Sequence, residues 1–546
     1  MSPIEEPDSR RETTRTTAVM STGTLVSRGT GLLRVGVTLA ALGSTLPIAD
    51  AYAKANTTPN IVYELVLGGI LTSVFVPLLV DWARTHGAEA AWEAGSRFLT
   101  IVLVVLSAVT AIAMIFAPQI MRFYLAGVEN PVDRQAEFEI GVFFLRWFLP
   151  QIVFYGLGAV AAGLLTANRR FSAPMFAPVL NNLVVIVTML MFIGVRHGAE
   201  PTIASVTAGQ KLLLAAGTTL GVVVMTVALW PSLRRLGFRW RLRFDWRHET
   251  VRRLLHLARW VVVYVVANQI AYFIIIRFSG RIPVDGAYVV YSNAFIFFSL
   301  PHAIIAVSIF TALLPGMSAR WTDRDTAGVR ELFSRGLRDT EIVMLPAAAG
   351  YAVLAGPIAA LVASYGQMEP ANTELLGRTL AAFAIGLPFF SAFQFLTRTF
   401  YATQDAKTPA MANIAVAVVN LAADVWLAFG LGLGVVGLAL GYAASYAAGT
   451  VILYALARRR LSGTDGRRIL DTIGRALAAS ALTAVAAWGA AAGVAAVLDV
   501  SRPLMRLVQV GVAVTAGVLA FALGALIFKI QEADEVWQAL NARFRR

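Results

Sequence analysis

Two arginines stand inside the first apolar stretch of the chain, in the pattern Ser27-Arg28-x2-Gly31-x2-Arg34. An ionised side chain within a membrane span is expensive and marks a substrate or ion path. A guanidinium presents a planar fork that matches phosphate and carboxylate oxygens, so the chemistry on offer is anion binding. Their separation puts the two about 120° apart on a regular helix, facing two walls of a wet cavity or binding interfacial lipid phosphate. Gly29 and Gly31 let the helix bend or a head group approach its backbone. Asp50 and Lys54 follow, four apart and therefore helix neighbours, just ahead of Thr57-Thr58-Pro59-Asn60. They form either a simple ion pair or the mouth of the same cavity. Arg146 lies in an apolar context and needs water or an acidic partner. Asn268 and Gln269 read first as hydrogen bonds between helices. Arg277 reads as reaching the outer interface.

Enzyme signatures are missing. There is no Walker A sequence, and the five histidines do not form a zinc spacing. Gly29 and Gly31 follow no strand, so they are not a dinucleotide fingerprint. The absence of cysteine excludes disulfides, thiolate metal sites and cysteine nucleophiles. The expectation is a protein without cofactors, whose transport is driven by an ion gradient, the membrane potential or the substrate gradient.

The elements that must position these residues are membrane helices. The 546 residues are 58% hydrophobic and 14% charged, with mean hydropathy +0.68. Soluble proteins carry about 25% charged residues. Apolar runs of about 20 residues, enough to cross the hydrocarbon core, recur along the chain. They read as spans at 17–46, 59–83, 95–121, 141–167, 174–195, 211–232, 257–279, 287–315, 340–364, 376–401, 409–430, 434–457, 472–497 and 503–529. No alternating ten-residue strands of a β-barrel are seen. The first residues are polar and mixed in charge, without the pattern of a cleavable leader, and read as a disordered cytosolic tail over 1–16.

The net charge of +14 sits in alternate loops, as the positive-inside rule requires of a membrane protein, rather than in a nucleic-acid face. Arg234, Arg235, Arg239, Arg241, Arg243, Arg247, Arg252 and Arg253 share the richest loop, whereas 430–434 holds no Lys or Arg. An even number of spans then puts both termini in the cytoplasm, with the basic loops against anionic lipid.

The two halves share landmarks. Ser73-x3-Pro77 resembles Thr311-x3-Pro315, Trp82 resembles Trp321, and Ser96-Arg97-x-Leu99 resembles Ser334-Arg335-x-Leu337. Pro118 matches Pro357, Pro174 matches Pro409, and Asn182 matches Asn420. The fold class is therefore all-α integral membrane, about fourteen helices in two pseudo-symmetric six-helix lobes plus two C-terminal helices. The lobes cover 17–232 and 257–460, joined by a basic linker over 233–256. Two spans and a short tail occupy 461–546, the tail reading as an amphipathic helix. A substrate site between lobes that open alternately to either side is the corresponding expectation.

The ordered motifs resemble the MurJ/MviN lipid II flippases of the multidrug/oligosaccharidyl-lipid/polysaccharide exporter superfamily. They are Ser27-Arg28-x2-Gly31-x2-Arg34, Asp50-Ala51-Tyr52, Pro59-Asn60 and Val74-Phe75-Val76-Pro77, then Asn168-Arg169-Arg170-Phe171-x2-Pro174. The most specific is Arg398-x-Phe400-Tyr401-Ala402-x-Gln404-Asp405-x-Lys407-Thr408-Pro409. The resemblance implies a bacterial inner-membrane protein that carries undecaprenyl-pyrophosphate-linked disaccharide-pentapeptide to the outer leaflet for peptidoglycan synthesis. Its partners would be that lipid or a related polyprenyl-pyrophosphate, membrane lipids and cell-wall synthesis proteins. Arg28, Arg34 and Asp50 match family site residues. With Lys54 and Asn60 they make up the candidate substrate-binding set. Ser27, Gly31, Pro59, Arg398, Asp405, Lys407 and Pro409 are candidates for a gating or structural role. The last two spans would cradle the polyprenyl tail. The chain departs from the family pattern at Val35, Tyr63 and Gly68-Gly69, and over 291–301, where an expected arginine is missing. Those departures keep two alternatives open: a paralogue exporting another polyprenyl-linked glycan or amphiphile, and a non-transporting scaffold for wall synthesis.

Overall fold

The computed structural model describes residues 10–43, 46–64, 88–126, 131–168, 170–196, 198–242, 249–363 and 370–530. The second span beyond Glu64, with Val74 to Pro77, Gly68-Gly69 and Trp82, lies outside them. So do Arg243, Arg247 and the tail over 531–546.

All regular elements among the described residues are helical. Eleven helical stretches there are long and apolar enough to cross a membrane, and Val266–Ser279 is a shorter apolar one. Two compact units divide the chain, Met1–Val266 and Ala267–Arg546.

The first unit contains α1 (Arg10–Leu42), α2 (Pro47–Glu64), α3 (Ala88–Ile115), α4 (Ala117–Leu125) and α5 (Pro131–Phe148). It continues with α6 (Gln151–Ala167), α7 (Ser172–Val195), α8 (Ala208–Val227), α9 (Trp230–Arg235) and most of α10 (Glu249–Ser279). Two boundaries differ from those read in the sequence. Helix α1 starts at Arg10, within the stretch expected to be a disordered tail. Helix α2 starts at Pro47, so Asp50 and Lys54 lie within it rather than ahead of it, and Pro59 is interior to it rather than its first residue. Proline suits the first helical turn, where its missing N–H has no partner to lose. Further along, around Pro59, the side chains of Thr57, Thr58 and Asn60 return hydrogen bonds to the carbonyls of Ala53, Lys54 and Asn56. Such back-bonding bends a helix and restores polar pairing around a proline.

The second unit holds α11 (Ala287–Pro301), a π turn at His302–Ala306, α12 (Val307–Thr322), α13 (Thr326–Ala363) and α14 (Pro370–Ala402). It continues with α15 (Lys407–Asp424), a second π turn at Val425–Gly430, α16 (Gly434–Arg460), α17 (Gly466–Val497) and α18 (Pro503–Ile527). Helix α16 approaches the second π turn closely because Gly437 and Gly441 present no side chain there. A Cβ on Gly437 would lie 2.6 Å from the Ala428 backbone. Small residues four apart are a recurrent device for close membrane-helix packing. The two C-terminal helices pack against each other and against α13, through Leu354, Ala487, Ala491 and Ala513 at one level. Ile342, Leu345, Ala476, Ala479 and Ala525 do so at another. Arg506 ties α18 to α13 by donating to the Ala360 carbonyl at 2.6 Å.

The duplication reappears in the hydrogen bonds. Ser96 Oγ donates to the Arg241 carbonyl at 2.8 Å and accepts from its N–H at 2.7 Å, fixing the loop that follows the sixth span of the first unit. Its counterpart Ser334 reaches Asp465 at 3.4 Å, in the loop that follows the sixth span of the second. One position thus does the same work twice.

Candidate functional site

In the first unit the candidate residues fall on α1 and α2. Arg28 is exposed and Arg34 half-buried. Neither has an acidic partner among the described residues. The Arg34 guanidinium lies near enough to the Tyr52 hydroxyl to act on it through space. Tyr52 is held edge-on to Phe144 and Phe148, and its hydroxyl pairs with Thr218 Oγ1 at 2.7 Å.

Lys54 is fully buried. Its ammonium pairs with Asp50, one turn back on α2, and donates to Glu137 Oε1 of α5 at 3.0 Å. Of the two roles open for Asp50 and Lys54, the geometry is that of an ion pair with a second carboxylate added. Lys54 is enclosed by its own partners, whereas Asp50 Oδ1 has no hydrogen-bond partner among the described residues. Buried charges persist where paired, and one ammonium between two carboxylates is such a pairing. Asn60 is occupied locally, its amide donating to the Asn56 carbonyl at 2.9 Å. Arg146, expected to need a partner, is exposed on α5.

The other motif residues hold α1 and the loop before α15. Ser27 offers its carbonyl to Asn182 of α7 at 3.2 Å, and Gly31 leaves space beside that amide. Arg398 lies over the Phe310 ring at 5.3 Å. Asp405 accepts from the Thr408 N–H at 3.0 Å and from its hydroxyl at 2.7 Å, which closes the start of α15. It also pairs with Arg460 at 3.2 Å, whose guanidinium covers Trp321 at 5.2 Å. Lys407 opens α15, and Pro409 is buried in its first turn.

The second unit has a small cavity of its own, lined by Asn268, Tyr272, Tyr291, Asn420, Ser445 and Tyr446 among others. Asn413 donates to Asn268 Oδ1 at 3.1 Å, a hydrogen bond between helices as expected for Asn268. Asn420 donates to Asp424 Oδ1 at 3.1 Å, and Asp424 Oδ2 has no partner among the described residues. On α11, Tyr291 and Phe298 are buried among aromatic rings, in the stretch without charge.

Sequence reading missed Glu137 and Asp424. Glu137 precedes the apolar core of its span and reads as loop. Asp424 lies inside the span 409–430, where the rule that singled out Arg28 applies equally to it.

A multi-pass helical bundle, with two guanidinium groups on its first helix that meet no carboxylate among the described residues, has the architecture of a membrane transporter. Solved structures share the fold. The "Lipid II flippase MurJ, inward closed conformation" superposes with a TM-score of 0.72 at 20% identity, covering 94% of this chain and 98% of that one. An inward-facing multidrug resistance MATE family transporter of the MOP superfamily gives 0.65 at 15% identity, covering 81% and 94%. Among curated relatives, the probable lipid II flippase MurJ of Rickettsia prowazekii is 27% identical over 397 residues, 73% of this chain and 75% of that protein. The lipid II flippase MurJ of Burkholderia cenocepacia is 28% identical over 401 residues, 73% and 75%. The family model for lipid II flippase MurJ matches residues 39–509, and the chain belongs to that family. Asp50, Lys54 and the motif from Arg398 to Pro409 fall within the match; Arg28 and Arg34 precede it.

Proposed function

We propose that this protein is a lipid II flippase of the bacterial plasma membrane. It moves undecaprenyl-pyrophosphate-linked disaccharide-pentapeptide from the inner to the outer leaflet by alternating access, feeding peptidoglycan synthesis. It does so as a transporter without cofactors, with both termini in the cytoplasm. The observation that carries the reading is the pair of guanidinium groups on α1, which have no acidic partner among the described residues. Two cations without internal anions, on a helix of this family, suit a pyrophosphate. Asp50 orients or gates that site, and the ion pair with Lys54 holds its carboxylate.

Binding drives the cycle only as far as the cargo prefers one state over the other. Net movement therefore draws on a gradient, that of the cargo, of an ion or of the membrane potential. Asp424, buried with one oxygen unpartnered, supports a charge-coupled cycle.

The test is complementation of a bacterium depleted of its own lipid II flippase, reading growth and externally exposed lipid II. Wild type restores both and Arg28→Ala restores neither at equal membrane abundance. Failure of the inserted wild type, in a host supplied with the native partners, would redirect the reading to another polyprenyl-linked cargo or to a scaffold.

A further inference from the structure

Among the described residues, no carboxylate pairs with Arg28. Its direction is set by the turn of α1 on which it stands, and one side chain from another helix fixes that turn. Asn182 of α7 is 9% exposed. Its Nδ2 donates to the Ser27 carbonyl at 3.2 Å and to Thr30 Oγ1 at 3.1 Å. Thr30 directs its own hydroxyl proton to the Val26 carbonyl at 2.8 Å, so its oxygen accepts from Asn182. One amide thus engages residues on both sides of Arg28. The amide packs beside Gly31, where a Cβ would lie 3.6 Å from Nδ2, in ordinary contact. At the far end of the same helix pair, Arg196 donates to the Ala41 carbonyl at 3.1 Å. The two contacts bracket Arg34 and fix α1 in rotation and height against α7.

The second unit carries a related tie. Asn413 of α15 donates to Asn268 on α10. Helices α7 and α15 are the ones matched by Pro174 with Pro409 and by Asn182 with Asn420. An asparagine amide therefore joins the first span to the fifth in each half of the chain.

A guanidinium swings with the helix that bears it. Productive contact with a ligand tolerates displacement of only about 0.5 Å. We propose that Asn182 is a positioning residue for anion recognition, setting the rotation of α1 so that Arg28 and Arg34 meet one pyrophosphate together. The inference rests on the lipid II reading above.

Asn182→Leu removes both donations at similar volume, and Thr30→Val removes the acceptor from the other side. Each variant is titrated with purified lipid II in detergent and assayed for flipping in proteoliposomes. Asn182→Leu is expected to bind about tenfold more weakly, the consequence of losing two ordinary hydrogen bonds, with the maximal flipping rate kept. Thr30→Val shifts affinity in the same direction by less. The chain has no cysteine, so Leu33→Cys, at a position 56% exposed, gives a single label site on α1. Its rate of reaction with a charged maleimide, measured without cargo, is expected to shift when Asn182→Leu is added. Unchanged affinity and unchanged labelling overturn the proposal. Should Asn182→Leu fail to accumulate, Thr30→Val decides by the same two measurements. Wild type separates the two readings: if it does not bind lipid II while labelling still shifts with Asn182→Leu, the cargo is wrong and the tie stands.

Discussion

Lys54 Nζ reaches Glu137 Oε1 at 3.0 Å across the gap between α2 and α5, while the same ammonium pairs with Asp50 on its own helix. Removing one member of a buried pair leaves uncompensated charge and costs about 3–5 kcal/mol. Lys54→Ala strands two carboxylates and is expected to lower thermal stability in detergent by that order. Glu137→Gln leaves Lys54 paired with Asp50 and is expected to lose about 1–2 kcal/mol. The ranking, read from melting curves of the two purified variants, is the test; equal losses would remove Asp50 as the principal partner of Lys54.

Arg28 and Arg34 make no ion pair among the described residues, so their loss should spare folding. Arg28→Ala and Arg34→Ala are expected to accumulate at wild-type levels and to bind lipid II about tenfold to a hundredfold more weakly, the worth of charge-assisted hydrogen bonds. Lysine keeps the charge but not the fork, so Arg28→Lys should recover only part of the affinity. Lipid II titration of the purified variants measures all three; wild-type affinity in both alanine variants would sink the assigned site.

Part of this arrangement is legible in the chain itself. Arginines inside an apolar run are conspicuous because membrane burial makes any charge costly, and Ser96 with Ser334 announces a duplication because the spacing repeats. Glu137 is not legible in that way. It is distant in sequence from Lys54, and a carboxylate at the edge of a span looks solvated until the partner helix is in place. The helical start at Pro47 is hidden for a related reason. Polar residues from Asp50 to Thr58 lie ahead of the apolar run that begins the span at 59, yet many of their side chains bond to one another or to their own backbone. The Asn182 tie needed the packing of α1 on α7, which hydropathy does not report.

Asp405 serves two helices at once, accepting from Thr408 at the start of α15 and pairing with Arg460 at the end of α16. Asp405→Ala should cost about 1–2 kcal/mol, the sum of a lost helix cap and a partly exposed ion pair. Asp405→Asn retains an acceptor for the cap and should lose less. Thermal unfolding of the two variants checks the order, and a silent Asp405→Ala would show that the motif holds no structure together.

Glycines separate close packing from open space. A Cβ on Gly437 meets the Ala428 backbone at 2.6 Å, whereas one on Gly29 meets nothing within 4 Å. Gly437→Ala is expected to lose about 1–3 kcal/mol from overpacking and to accumulate poorly. Gly29→Ala is expected to match wild type in melting temperature and abundance. The same two measurements contradict the packing if the variants exchange behaviour.

Helix α13 runs without interruption from Thr326 to Ala363, 38 residues. At 1.5 Å per residue that is about 57 Å, well beyond the roughly 30 Å of hydrocarbon it must cross. Near its start Arg330 grips the Leu461 and Ser462 carbonyls; toward its other end α17 and α18 lie along it. One helix, with Pro346 and Pro357 inside it, therefore carries both the grip on the 461–462 carbonyls and the packing of the two C-terminal helices.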